Sequence, residues 1–451
     1  MTTVDARYPG IALPGDPAFD AATRVFNLSA PARPVASVTA RTVEDIRTAI
    51  RYAGAHGVGV RVLSTGHASA AVRPVRHAVL IRTELGGGVD VDTTRRLARV
   101  PAGAPWQAVV DAATPHGLAA PHGSAATVGV VGFLLRGGIS FYSRKIGLAV
   151  NSVRAVELVT ADGELRRVDA DHDPDLFWSL RGGGGGFGVV TAVEIDLFPA
   201  TSVITGTTIW PARHAPGLLA AWRRWTVDAP REVSTSLRLM NVPPLPDVPA
   251  VLSAGPVLAI DGVVVDASWE HANDLLGPLR AVAEPLLDTW APTTPSAVLE
   301  THMDPADPVA FLGDHMLLDE FDEAAFLDVV GPGSGSPLVV AGLRQLGGAI
   351  ALPDPDGGAL NHLRARYAYS GSGVPGFPGA TVATVTRHCA RVRAALSPWD
   401  TGCTAPTFVE SHEQPQRHLD PDQVAQLDRV RARVDPNGVF RGDIAPNSSA
   451  T

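Results

Sequence analysis

Along the first 200 residues the hydrophobic positions switch repeatedly between two periods. Val43, Ile46, Ile50 and Ala53 recur at helical spacing behind Thr42, a capping hydroxyl followed by Glu44 and Asp45, and Gly57 stops the run. Val58, Val60 and Val62 then alternate with period two, which predicts a strand running into the small-residue loop Leu63-Ser-Thr-Gly-His67. Strands are also predicted at 78–82, 89–92 and 97–100, and a helix over 105–113 ended by Pro115 and Gly117. Segments 153–160 and 164–168 flank the turn Ala161-Asp-Gly163, a hairpin signal. A helix with Pro174 at its start covers 173–181, and five glycines at 182–186 lead into a strand over 189–195.

From about Thr201 the texture changes to longer strands and helices separated by Pro-rich loops such as Pro243-Pro-Leu-Pro-Asp-Val-Pro249, which marks a second domain over 201–409. Helices near 214–225, 268–282 and 381–396 cover a sheet that contains 257–265 and 364–369. A last helix, 420–434, places Val424, Leu427, Val430 and Val434 on one face, and Asp435-Pro436 ends it.

Composition narrows the chemistry. Of 451 residues 45% are apolar and 18% charged, and the net charge of −9 offers no basic footprint for nucleic acid. The single lysine, Lys145, follows Arg144 and so lacks the Gly-Lys-Ser/Thr context of a phosphate loop; it is also the only residue that could form a Schiff base. The dominance of arginine, with heavy Ala, Gly and Pro use, reads as coding-genome bias. Cys389 and Cys403 are too far apart for a Cys-x-x-Cys site, and no clustered metal-ligand set appears. The uncharged stretch 112–135 is broken by Pro115 and Pro121 and reads as turns around short buried pieces, so no membrane span is expected. The N-terminus lacks the apolar run of a signal peptide, and a cytoplasmic enzyme is the expectation.

Gly183-x-Gly185-x-x-Gly188 satisfies the dinucleotide fingerprint as a string, but a helix precedes it and a strand follows, the reverse of what that device needs. There remain three small-residue loops, at 63–68, 123–138 and 182–188, each beside a strand. They either let backbone N–H groups approach a phosphate or planar cofactor, or are the tight turns of a strand-rich domain.

These loops also carry a resemblance. Phe26-Asn27, Gly66-His67, Gly123-Ser124, Thr127-Val-Gly129, Gly132, Gly137-Gly138, Ser143-Arg-Lys145, Pro174-Asp-Leu-Phe-Trp178, Arg181-Gly-Gly-Gly-Gly185, Arg344-Gln-Leu-Gly-Gly-Ala349 and Val434-Asp-Pro-Asn-Gly-Val-Phe440 occur in the order found in the vanillyl-alcohol-oxidase-type flavoproteins. The chain resembles in particular their berberine-bridge-enzyme-like members. The resemblance implies a PCMH-type FAD-binding domain of two α+β subdomains over 1–200, a substrate domain with a helix-covered antiparallel sheet over 201–409, and a segment 410–451 returning to the FAD domain. It implies FAD held by Ser64, Thr65, Gly66, His67, Ala68, Gly123, Ser124, Thr127, Gly129, Gly132, Gly137, Gly138, Gly188, Val190 and Asn437. It also implies covalent attachment through His67 to the flavin 8α carbon. The second attachment known in part of the family needs a cysteine where this chain has Ala125, so bicovalent flavin is excluded.

Two departures from the family pattern bear on chemistry. Ser64 and Thr65 replace glycines before His67, and Phe408-Val-Glu410 stands where many members carry Tyr-x-Asn. Phenylalanine exchanges no proton, so the base lies elsewhere. Glu410 is the first candidate, if burial raises its pKa, against the alternative of a surface carboxylate beside His412 and Glu413. Tyr142 and Tyr369, the latter sharing a strand face with Tyr367, are the others, against the alternative of core aromatics. His302, His315 and His412 are not ranked. The expected activity is FAD-dependent oxidation of a small specialised metabolite, with hydride passing to flavin N5 and O2 as acceptor. A redox-neutral flavin-containing cyclase or lyase is the alternative, and a flavin-binding protein without turnover the third reading.

Overall fold

The computed structural model describes residues 7–246, 248–414 and 417–440, and three main sheets organise them. In the first, Ala78–Thr83 lies between Ala36–Ala40 and Gly59–Leu63, with both pairs parallel. The helix Val43–His56 joins two of these strands, opened by a reciprocal cap between Thr42 and Asp45 and closed at Gly57. It buries Ile46, Ala49, Ile50 and Ala53 against Val38, Val79 and Ile81. The second sheet is antiparallel, in the order Asp90–Asp92, Leu97–Pro101, Val189–Asp196, Val153–Val159, Leu165–Val168. Its last two strands form the hairpin that Ala161-Asp-Gly163 predicts.

The third sheet is larger and wholly antiparallel: Leu287–Asp288, Val203–Pro211, Val257–Val264, Val233–Met240, Val340–Gln345, Tyr367–Gly373, Leu312–Leu318, with Ala291–Thr293 also on Val203–Pro211. Alternation gives it two different faces. Leu237, Ile260, Leu343, Tyr367 and Tyr369 pack with Leu219, Trp222, Leu276, Phe326 and Val385 from the covering helices. Leu317, Leu346 and Ala368 instead join the core of the second sheet. The α+β fold and the helix-covered antiparallel sheet agree with the sequence. The strand expected at 364–369 begins only at Tyr367 and continues to Gly373. Its Ser-Gly-Ser-Gly end has poor strand propensity, yet it is paired on both sides, and that pairing overrides propensity.

Arg144 ties the first half of the chain to this sheet. It is buried, and its guanidinium donates to the carbonyls of Val233 at 2.8 Å, Ala229 at 2.8 Å and Pro230 at 3.2 Å, and to that of Leu346. Burial pushes its pKa down to about 10, so it stays charged at neutral pH. The backbone closes around it: Gly348 has φ +61°, and a Cβ there would stand 2.4 Å from the Arg144 carbonyl oxygen. Lys145 beside it pairs with the exposed Asp266. Arg144→Met removes a charged donor from four carbonyls and is expected to cost roughly 3 kcal/mol. Lys145→Met removes an exposed ion pair and is expected to cost under about 1 kcal/mol. Urea midpoints measure both, and equal midpoints would show that the Arg144 clasp carries no weight.

Candidate active site

The Gly59–Leu63 strand ends in a loop held by its carbonyls. Phe26 N–H donates to the Thr65 carbonyl at 3.1 Å, Asn27 N–H to that of Gly66 at 3.4 Å, and Arg82 Nη1 to that of Ser64 at 2.5 Å. The N–H groups of Thr65 to Ala68 have no partner among the described residues. Gly66 makes the turn possible: its φ is +81°, and a Cβ would lie 2.7 Å from Val25 Cα. His67 stacks flat on Phe26, centroids 3.7 Å apart. Its Nδ1 lies 2.9 Å from Thr65 Oγ1 and its Nε2 3.2 Å from Thr127 Oγ1. Burial pushes the imidazole down to about 4, with Asp304 pulling the other way, so the ring is neutral at physiological pH and keeps a nitrogen lone pair.

The loop at 123–132 comes against it. A Cβ on Gly129 would stand 2.7 Å from Ser64 Oγ, whereas one on Gly132 would meet nothing within 4 Å. Ser64 Oγ and Asn27 Nδ2 are buried without a hydrogen-bond partner. Unpaired amides, orphaned polar atoms and open space at Gly132 fit a large polar cofactor such as FAD, whose phosphate and carbonyl oxygens accept such donors. Residues 64–68 and Ser124, Thr127, Gly129 and Gly132 are thus brought together. The other expected cofactor residues lie further along this part of the fold. A Cβ on Gly123 or Gly138 would run into Phe133, and one on Gly137 into Leu360. Gly188 and Val190 flank the start of the Val189–Asp196 strand, and Asn437 is exposed in the turn after the Pro421–Val434 helix.

On the face of the large sheet turned away from its covering helices lies a charged group that the sequence reading did not assemble. Arg238 Nε donates to Asp261 Oδ2 at 2.9 Å, Nη2 donates to the same oxygen, and His302 Nδ1 lies 3.2 Å from both Asp261 oxygens. Burial alone would raise the Asp261 pKa, but Arg238 and then His302 hold it at about 2. Arg344 sits beside them, its guanidinium 4.2 Å from the Phe141 ring centre and 5.5 Å from that of Phe408. The signal was available: Arg238 and Asp261 are lone charges in otherwise uncharged strands, Val-Ser-Thr-Ser-Leu-Arg-Leu-Met and Val-Leu-Ala-Ile-Asp-Gly-Val-Val.

Glu410 is half-buried and folded onto the backbone of Gly313, where a Cβ would stand 2.9 Å from its Cγ. Burial pushes its carboxyl up to about 8, with Arg136 lowering and Asp304 raising it. It is therefore not a surface carboxylate like exposed Glu413. Asp304, itself exposed, accepts a 2.7 Å hydrogen bond from Ser124 Oγ and acts electrostatically on His67, Glu410 and Arg344, so the loop residues and the sheet residues lie within electrostatic reach of one carboxylate.

The two tyrosines do not join this group. Tyr369 faces the covering helices, its ring against Phe326, because it lies on the sheet face opposite Ala368 and Leu317. Tyr142 is buried among Val203, Val263 and Val298 with its ring against His122 and Phe198. Burial raises both phenols above their usual range, which keeps them protonated at neutral pH. His315 is a structural post: its Nδ1 lies 2.8 Å from the Tyr369 carbonyl and its Nε2 accepts from Ala405 N–H at 3.1 Å. His412 is exposed.

Residues 34–169 match the FAD binding domain family. The chain is similar to (R)-6-hydroxynicotine oxidase of Paenarthrobacter nicotinovorans, 32% identical over 198 residues, 44% of this chain and 43% of the relative. It is also similar to the FAD-linked oxidoreductase easE of Claviceps purpurea, 37% identical over 191 residues, 39% of each chain. These matches span less than half the length of the curated relatives. Among solved structures the chain is similar to BBE-like 1 of Physcomitrella patens, with TM-score 0.80 and 20% identity over 98% of this chain and 97% of that one. It is similar as well to 6-hydroxy-D-nicotine oxidase from Arthrobacter nicotinovorans, with TM-score 0.81 and 22% identity over 96% of each. At such identities the likeness is one of fold. By sequence, residues 34–169 belong to the FAD binding domain family, and across nearly all its length the chain shares the fold of the berberine-bridge-enzyme-like structures.

Proposed function

We propose that the chain is an FAD-dependent oxidase of a small specialised metabolite, with His67 as the attachment residue and Glu410 as the base. The observation that carries this reading is the pairing, around Asp304, of a neutral loop histidine with a carboxyl whose pKa is raised toward working pH. When bound, FAD supplies a hydride acceptor at N5 and a route for electrons to O2. The chain's own residues do the rest. The N–H groups of Thr65 to Ala68, Ser64 Oγ and Asn27 Nδ2 hold cofactor oxygens, and the Thr65 and Thr127 hydroxyls orient the His67 ring. A neutral imidazole has the free lone pair that bond formation to carbon requires. Glu410 takes a proton from substrate O–H, N–H or activated C–H, while Arg136 favours its ionised form. Phe408, in the place of the family tyrosine, closes the wall with an apolar ring.

Purified protein is expected to be yellow, and the colour to stay with the acid-precipitated chain. His67→Ala should release it to the supernatant. Colour released from the wild type would overturn the attachment and leave FAD binding standing, whereas a colourless wild type would overturn both.

Glu410 gives a pH dependence with a definite sign. Acting as base, it makes kcat/KM rise with pH to a plateau above about 8, and Glu410→Gln is expected to lower the plateau by about 10²–10⁴-fold. A raised carboxyl pKa also means that the folded chain holds a proton the unfolded chain has released between pH 4.5 and about 8. Stability is therefore lost over that window, relative to Glu410→Gln, as pH rises. Parallel stability curves for the two proteins would refute the assignment without any need for the substrate.

A further inference from the structure

Arg344 is a buried cation whose bonding is incomplete. It lies on the Val340–Gln345 strand opposite Ser236 in register, 7% exposed. Its Nε makes one long hydrogen bond, 3.3 Å to Ser236 Oγ, and its Nη1 is buried with no partner. The nearby carboxylate, Asp261, already takes two N–H groups of Arg238 and faces His302 Nδ1. Asp304 is engaged by Ser124. Two other buried arginines differ in kind: Arg144 donates to four carbonyls and Arg238 to its own carboxylate. Burial pushes Arg344 down to about 10, which leaves it charged at neutral pH. A desolvated guanidinium with an unused nitrogen is costly to the free protein, and such costs are retained where a ligand removes them.

We propose that Arg344 is the recognition site for a carboxylate on the substrate, its guanidinium held near the Phe141 and Phe408 rings. This rests on the reading of the site given above, since Phe408, whose ring centre is 5.5 Å from the guanidinium, is two residues from Glu410. A guanidinium presents parallel N–H groups that match the two oxygens of a carboxylate, and a neutral amide offers only one acceptor oxygen to the same fork. The two nearby aromatic rings add apolar surface, so the class of ligand is a small carboxylic acid with a planar or apolar body. Arg238, bound to Asp261, keeps that carboxylate from competing for Arg344. The unused N–H groups could instead serve a carbonyl oxygen of the flavin, and the test separates the two.

Benzoate and benzamide are titrated calorimetrically into the wild type, Arg344→Met and Arg344→Lys, with visible spectra and thermal midpoints recorded for each. Benzoate is expected to bind the wild type at least tenfold more tightly than benzamide, and Arg344→Met to abolish that preference. Arg344→Lys, a point charge without the fork, should retain part of it. The thermal midpoint of Arg344→Met should equal or exceed that of the wild type, because an unsatisfied buried charge is removed. Failure of benzoate to bind the wild type, or binding that Arg344→Met leaves unchanged, overturns the proposal. So does a variant whose flavin spectrum or flavin retention shifts while benzoate binding stays, which assigns Arg344 to the cofactor. A colourless wild type that still prefers benzoate would refute the flavin reading and leave the carboxylate site intact.

Discussion

The guanidinium of Arg144 sets the alignment on which the rest of the site depends. Its chain segment belongs to the flavin-binding half, and its hydrogen bonds end on Ala229, Pro230, Val233 and Leu346 of the half that carries the large sheet. Phe141, three residues before it, then meets the face of Arg344, two residues before Leu346. One buried, fully used cation thereby brings the loop side and the sheet side of the pocket together at fixed spacing. A Cβ at Gly348 would collide with the Arg144 backbone, so the clasp also dictates the two glycines that follow Leu346.

Burial acts on His67, Asp261 and Glu410 alike, and the partners decide what it does. His67 has hydroxyl neighbours and a distant carboxylate, so desolvation wins and the ring is neutral. Asp261 has an arginine and a histidine in contact, so attraction wins and the carboxylate stays ionised. Glu410 has only the partial support of Arg136 against burial and Asp304, and ends near 8. The three groups thus differ in protonation state, which is the condition for the separate attachment, structural and proton-transfer roles proposed above.

Local signals were the readable part of the sequence. The cap at Thr42 and Asp45, the stop at Gly57, the alternating valines and the Ala161-Asp-Gly163 turn all act through neighbours a few residues away, and the elements form where those signals stand. The small-residue loop before His67 was equally readable, because a left-handed Gly66 packed on Val25 leaves a local mark. The Tyr367–Gly373 strand was placed too early, since its serines and glycines are ordered by pairing with strands more than twenty residues away on one side and more than fifty on the other.

By itself the sequence determined the element pattern, the loop chemistry around His67 and the resemblance that led to FAD. Only the tertiary structure decided which sheet face Tyr369 occupies, that Glu410 turns inward, and that Arg238, Asp261, His302 and Arg344 form one group with Arg344 left unsaturated. The physical reason is the range of the forces involved. Backbone propensity and capping are written within a turn or two of chain, whereas desolvation and hydrogen-bond saturation depend on every atom that closes over a group, whatever its distance along the sequence.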